Sequence, residues 1–70
     1  KKSIVEPRQI CMYLLREILG LSYPDIGLKL GKRDHTTAIY AFTKLSEEIN
    51  RNQDLNQKII AIKDLIYKKE

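Results

Sequence analysis

The sequence predicts an all-α fold: a small helical bundle of about four main helices that contains a helix-turn-helix. Three observations carry this expectation. Nowhere does the chain show the strict apolar-polar alternation of a half-buried strand. Apolar residues instead recur three and four apart. Both prolines and all three glycines fall between Pro7 and Gly31, where they punctuate helices. At 70 residues, 43% of them hydrophobic, the chain suffices for one small soluble domain and is too short for two.

The first helix is expected to start near Pro7, since proline suits the opening turn where its missing N–H is not needed, and to stop at Gly20. Ile10, Leu14 and Ile18, with Cys11, Leu15 and Leu19, supply its apolar stripe, and Gln9 and Arg16 are expected on the opposite face. Ser22-Tyr23-Pro24-Asp25 has the S-x-x-D form of a capping box and opens a short second helix running to about Leu30, which Gly31 ends. Asp34 can cap a third helix, because its carboxylate can accept amide protons left unpaired in the first turn. That helix has two faces: Ala38, Phe42, Leu45 and Ile49 form the buried one, and Thr36, Tyr40, Thr43 and Lys44 the outer one. Asn50-Arg51-Asn52 is a polar joint, after which Leu55, Ile59, Ile62 and Ile66 form a fourth helix that lids the core. The helix-turn-helix covers about residues 22–50. Gly27 allows its two helices to approach, and Gly31 can take the positive φ of a sharp turn.

Charge narrows the function classes. Lys and Arg number 13 against 9 acids, a net +4 with a pI near 9.3, which favours a polyanionic partner. Seven basic residues (Lys1, Lys2, Arg8, Arg16, Lys29, Lys32, Arg33) and three acids precede Asp34, whereas the rest of the chain carries six of each. The net positive charge therefore belongs to the first half. Charge-free stretches such as Gln9 to Leu15 and Ile18 to Pro24 fall far below the roughly 18 residues a membrane span requires, so no membrane contact is expected. One cysteine, Cys11, cannot form an internal disulfide, which points to a reducing, cytoplasmic setting. His35 is the sole histidine, and Cys11 on the first helix's apolar stripe is expected to be a small buried hydrophobe, so a Cys-His nucleophile pair is disfavoured. Metal-ligand spacing and a phosphate-loop glycine-lysine motif are absent, and the domain is expected to be no enzyme and to hold no cofactor. The four tyrosines are not grouped as stacking platforms for single strands.

Three segments go beyond pattern: Pro7-Arg8-Gln9-Ile10, Leu21-Ser22-Tyr23-Pro24-Asp25-Ile26-Gly27, and Gly31-Lys32-Arg33-Asp34-His35-Thr36-Thr37. Together, over about Val5 to Lys44, they resemble the C-terminal DNA-binding domain (domain IV) of the bacterial replication-initiator family DnaA, most specifically at Arg33 to Thr37. The resemblance implies sequence-specific binding of double-stranded DNA at a short, asymmetric, A/T-rich DnaA box of the replication origin, in a bacterial, nucleoid-associated setting. It also implies a longer parent whose separate AAA+ module uses ATP or ADP and magnesium and which self-assembles at the origin. Consistent with a piece of a longer protein, the chain opens at Lys1 and its sole methionine is Met12. The fragment itself is expected to be monomeric.

Asp34, His35 and Thr36 open the third helix, and the first turn of a recognition helix is the part that reaches base edges in the major groove. An aspartate can accept from a cytosine amino group, a threonine can offer its hydroxyl or press its methyl on thymine's, and a histidine can donate to a purine acceptor. The resemblance implies base contact by these three and phosphate contact by Thr37, Arg8, Gln9 and Arg16. It also implies contact near the base edges by Tyr23 and Pro24. Lys32, Arg33 and Lys44 are further backbone contacts on charge and position. Plainer roles compete: Asp34 as a helix cap, each Lys or Arg as a solvated surface charge.

Two residues depart from the family's pattern, Lys32 for a usual second glycine and Tyr23 for a usual leucine. The family's minor-groove arginine falls just before Lys1. Two other readings remain. One is a dimeric helix-turn-helix transcriptional regulator reading a palindrome, and the other is a helical protein-interaction module docking through the Leu55 to Ile66 stripe.

Overall fold

The computed structural model describes residues 5–30 and 35–68. Among them are four helices and no strand: α1 (Pro7–Leu19), α2 (Tyr23–Lys29), α3 (Thr36–Arg51) and α4 (Gln53–Tyr67). The all-α expectation holds element by element. Pro7 opens α1, and Gly20 closes it in the left-handed region at φ 67°, where its amide donates to the Arg16 carbonyl at 3.0 Å. Ser22 caps α2, its hydroxyl accepting from the Asp25 amide at 3.2 Å. Asn52 serves the polar joint twice, donating its amide to the Glu48 carbonyl to end α3 and accepting the Leu55 amide at 3.0 Å to start α4. The described part of α3 starts at Thr36, with His35 already helical at φ −71° and its carbonyl accepting from Ala38 and Ile39. The cap expected of Asp34 and the turn expected of Gly31 lie outside the described residues, as do Lys1, Lys2, Lys32 and Arg33.

α3 is the central element, with α1, α2 and α4 packed around it. Two apolar clusters lie along its length. In the first, Met12 of α1, Ile26 of α2 and Ala38 and Ala41 of α3 are all at most 1% exposed, with Leu15, Leu21, Tyr23 and Leu30 packed against them. Two alanines at the contact let the neighbouring helices come close, and Met12 and Ile26 fill the space between. In the second cluster Tyr13, Leu45, Leu55 and Ile59 are buried, flanked by Val5, Ile10, Leu14, Phe42 and Ile49. Tyr13 stacks on Phe42 with ring centroids 5.3 Å apart, tying α1 to α3. Burying a side chain the size of Met12 or Ile26 is worth about 1.5 to 3 kcal/mol, so these few residues set how α2 and α3 lie against each other.

The stripe expected on α1 is corrected. Its buried residues are Met12 and Tyr13; Ile10, Leu14, Leu15 and Ile18 are half-buried, and Leu19 and Cys11 are exposed. Apolar residues surround most of α1, so periodicity alone did not reveal which side α3 would occupy. At about 100° per residue, Gln9 and Arg16 fall between Met12 and Tyr13 around the helix. They are half-buried beside the core, not on an opposite solvated face. On α3 the expected stripe holds for Ala38 and Leu45, with Ala41 added to it, while Phe42 and Ile49 are half-buried against the second cluster. On α4 it holds for Leu55 and Ile59, while Ile62 is half-buried and Ile66 is 46% exposed. α4 therefore lids the core with its first half only, and Ile66 faces Cys11, Leu15 and Leu19 across an open apolar groove.

Candidate nucleic-acid interface

α2 and α3 share the first cluster through Ile26 and Ala38, and Leu30, just after α2, packs into the same cluster. This contact fixes the start of α3 close to the end of α2. The residues that open α3 then have one way to face. Ala38 turns inward, and His35, Thr36 and Thr37 immediately before it are exposed. One and two turns on, Tyr40 is 59% exposed and Lys44 lies over its ring, the ammonium 5.8 Å from the centroid. The outer face of α3 is thus a polar row of Thr36, Thr37, Tyr40 and Lys44 at helical spacing.

Both cations of α1 reach α2, at opposite ends of it. The Arg8 guanidinium donates through Nη1 to the Leu30 carbonyl at 3.3 Å. A cation at the carbonyl end of a helix is favourable, and this one sits where the chain leaves α2 for α3. Arg16, two turns along α1, donates through Nη1 to the Leu21 carbonyl at 2.9 Å and lies over the Tyr23 ring with its central carbon 4.4 Å from the centroid. Tyr23 is half-buried and meets Phe42 edge-on at 6.3 Å. Pro24 beside it is exposed on the first turn of α2.

Gln9 accepts from the Glu6 amide through Oε1 at 3.1 Å, which closes the start of α1. Its Nε2 group has two further donors to offer. The Gln9 amide itself donates to the Glu6 carbonyl at 2.9 Å, so this helix end is partly capped from within.

Of the twelve residues expected at the site, nine are described: Arg8, Gln9, Arg16, Tyr23, Pro24, His35, Thr36, Thr37 and Lys44. The structure brings Arg8 to the end of α2 and leaves the start of α3 exposed. It groups Arg16, Tyr23 and Pro24 at the other end of α2. Lys32, Arg33 and Asp34, which link α2 to α3 in the sequence, lie outside the described residues. The ring contacts of Tyr23 with Arg16 and of Tyr40 with Lys44 were missed by sequence reasoning. The second could have been found from the i, i+4 spacing on one helix; the first joins two helices across a loop and leaves no periodic signal. No cluster of three or more His, Cys, Asp or Glu that could hold a metal ion occurs among the described residues. Nor is any helix there long and apolar enough to cross a membrane.

The short helix α2 packed through Ile26 against Ala38 of α3, with the start of α3 exposed and two arginines of α1 reaching the ends of α2, has the layout of a helix-turn-helix domain. Comparison with known proteins makes the class particular. Residues 1–45 match the family described as bacterial dnaA protein helix-turn-helix, and the chain belongs to that family. It is 45% identical over 67 residues to the chromosomal replication initiator protein DnaA of Thermomicrobium roseum. It is 48% identical over 62 residues to that of Lactococcus lactis subsp. cremoris, and 48% over 65 residues to that of Chloroflexus aggregans. These alignments cover 96%, 89% and 93% of the chain, but the chain spans only 14% of each relative. No solved structure matches it significantly.

Proposed function

We propose that this domain binds double-stranded DNA sequence-specifically, reading one DnaA box at the replication origin as the DNA-contacting part of a longer initiator protein. The observation that carries the reading is the exposed first turn of α3, His35 to Thr37, held beside the end of α2 where Arg8 is anchored. In this reading the start of α3 enters the major groove. Thr36 and His35 offer a hydroxyl, a methyl and a ring nitrogen to base edges, and Asp34 offers a carboxylate to a cytosine amino group. Pro24, exposed on the first turn of α2, approaches the groove from the start of that helix, with Tyr23 beside it. Arg8, Gln9, Arg16, Thr37 and Lys44, with Lys32 and Arg33, hold the phosphates on either side and set the register. Membership of a helix-turn-helix family whose relatives are named replication initiators supports this assignment.

The domain acts as a monomer on an asymmetric site, needs no cofactor of its own and works in the cytoplasm at the nucleoid. The ATP or ADP, the magnesium and the self-assembly at the origin belong to the AAA+ module of the parent. Titrating a box duplex and a scrambled duplex by fluorescence anisotropy at two salt concentrations tests the reading. The box should bind more tightly at both, and both affinities should fall with salt, with a log-log slope of roughly −0.9 per phosphate neutralised. Equal affinity for the two duplexes would reduce the surface to a generic basic patch. In the same assay Thr36→Ala should lose roughly 1 to 3 kcal/mol of box discrimination.

A further inference from the structure

We propose that Tyr23 is a positioning residue, whose ring holds the Arg16 guanidinium in place as a pre-ordered anchor for one phosphate of the duplex. The inference rests on the DNA-binding reading above and departs from the base-edge contact that family resemblance implies for Tyr23.

An arginine on a helix surface normally samples many rotamers, and ordering it when a ligand arrives costs affinity. Arg16 is held in two ways before any ligand arrives. Its central carbon lies 4.4 Å from the Tyr23 ring centroid, and its Nη1 donates to the Leu21 carbonyl at 2.9 Å. The ring contact restrains where the guanidinium sits, and the hydrogen bond restrains how it turns there. The platform is itself fixed. Tyr23 packs against the Met12, Ile26, Ala38 and Ala41 cluster and meets Phe42 edge-on at 6.3 Å with an interplanar angle of 66°. Guanidinium carries five N–H donors in a planar fork, and the Leu21 carbonyl takes one of them, so a fork remains that suits a phosphate.

A half-buried ring that has a guanidinium over its face and a T-shaped contact with another ring is poorly free to read bases. A leucine at position 23 would fill much of the same apolar space without offering a π face to Arg16. Where a leucine would only fill space, the tyrosine present here can also support Arg16.

The test is a double-mutant cycle on duplex affinity with Tyr23→Leu, Arg16→Ala and the pair, read by anisotropy across a salt series with thermal melts alongside. Tyr23→Leu should weaken box binding about three- to tenfold while leaving the box-to-scrambled ratio and the salt slope as they were, because the charge stays. In the Arg16→Ala background the same change should cost little. Tyr23→Phe, which keeps the ring face, should lose less than Tyr23→Leu. Additive effects at positions 16 and 23, or a box preference altered by Tyr23→Leu, would overturn the inference while leaving DNA binding intact. Failure of the unaltered domain to bind duplex would overturn both. A second measurement needs no variant: in the free domain the Arg16 Nε–H group should show the restricted fast motion of a rigid side chain by 15N relaxation. A freely moving Arg16 signal would contradict the proposal even if every substitution destabilised the fold.

Discussion

Arg8→Ala separates a phosphate anchor from a structural tether. The Arg8 side chain is exposed, and its one bond to the Leu30 carbonyl is long, at 3.3 Å. Removing such a surface contact should cost stability by no more than about 0.5 kcal/mol, a fall in Tm of about 2 to 4 °C for a domain this size. The effect on DNA binding should be larger and of a particular kind. A side chain that neutralises one phosphate contributes about 0.9 to the slope of log affinity against log salt. Between about 50 mM and about 200 mM salt, a fourfold change, the affinity gap between the unaltered domain and Arg8→Ala should therefore narrow by about 3.5-fold. Box and scrambled duplexes should weaken alike, since a phosphate contact positions the protein and carries no base information. Anisotropy titrations on both duplexes over a salt series, with a melt of each protein, give all three quantities. An unchanged slope would show that Arg8 meets no phosphate, and a loss confined to the box would make it a reader. A fall in Tm beyond about 8 °C would make the Leu30 contact a structural one.

Four further outcomes follow from the packing. Ile26→Ala, at a position 0% exposed, should cost about 2 to 5 kcal/mol by urea unfolding; a loss under about 1 kcal/mol would mean the first cluster is not the core of the helix-turn-helix. Gly20→Ala should cost about 1 kcal/mol, because nothing lies within 4 Å of an added Cβ and only the φ of 67° resists it; a neutral substitution would mean that α1 ends differently. Cys11, being exposed, should react with a thiol reagent in the folded protein nearly as fast as in urea, and strong protection would restore the buried role first expected of it. Burial, reinforced by the Glu17 carboxylate, raises the Tyr13 phenol above its ordinary value of 10.0, so the unfolded chain loses that proton first. Above about pH 10 the folded state then holds more protons than the unfolded one and stability falls as pH rises, a loss that Tyr13→Phe should reduce in alkaline thermal melts.

Helix boundaries were legible in the sequence because they rest on local chemistry. Pro7, Gly20, Ser22 and Asn52 act on neighbours within a turn, and each does so in the folded chain. The stripe of α3 was legible for a related reason: a row of polar residues on one side left a single apolar side to bury. α1 has no such contrast, so its direction was set by Met12 and Tyr13 meeting α3, a tertiary fact with no periodic signature. Ile66 was assigned too far into the core because a heptad-like repeat states that a face is apolar, not how far its partner extends.

At the site, the wording of Arg33 to Thr37 is what points to DNA, and His35, Thr36 and Thr37 are exposed, as such a role requires. The supports of the cations were not legible. Arg8 on the Leu30 carbonyl spans 22 positions, and Arg16 on Tyr23 crosses from one helix to the next. Both are products of how α1 lies against α2.

Under the proposed function the amino end of α3 faces the duplex. Backbone amide chemical shifts of the 15N-labelled domain, recorded as a box duplex is added, test it most directly. Large changes are expected at His35, Thr36 and Thr37, with Arg8, Gln9 and Arg16 following and α4 nearly silent. Changes concentrated between Leu55 and Tyr67, with the start of α3 unmoved, would contradict it and favour a docking role for the fourth helix.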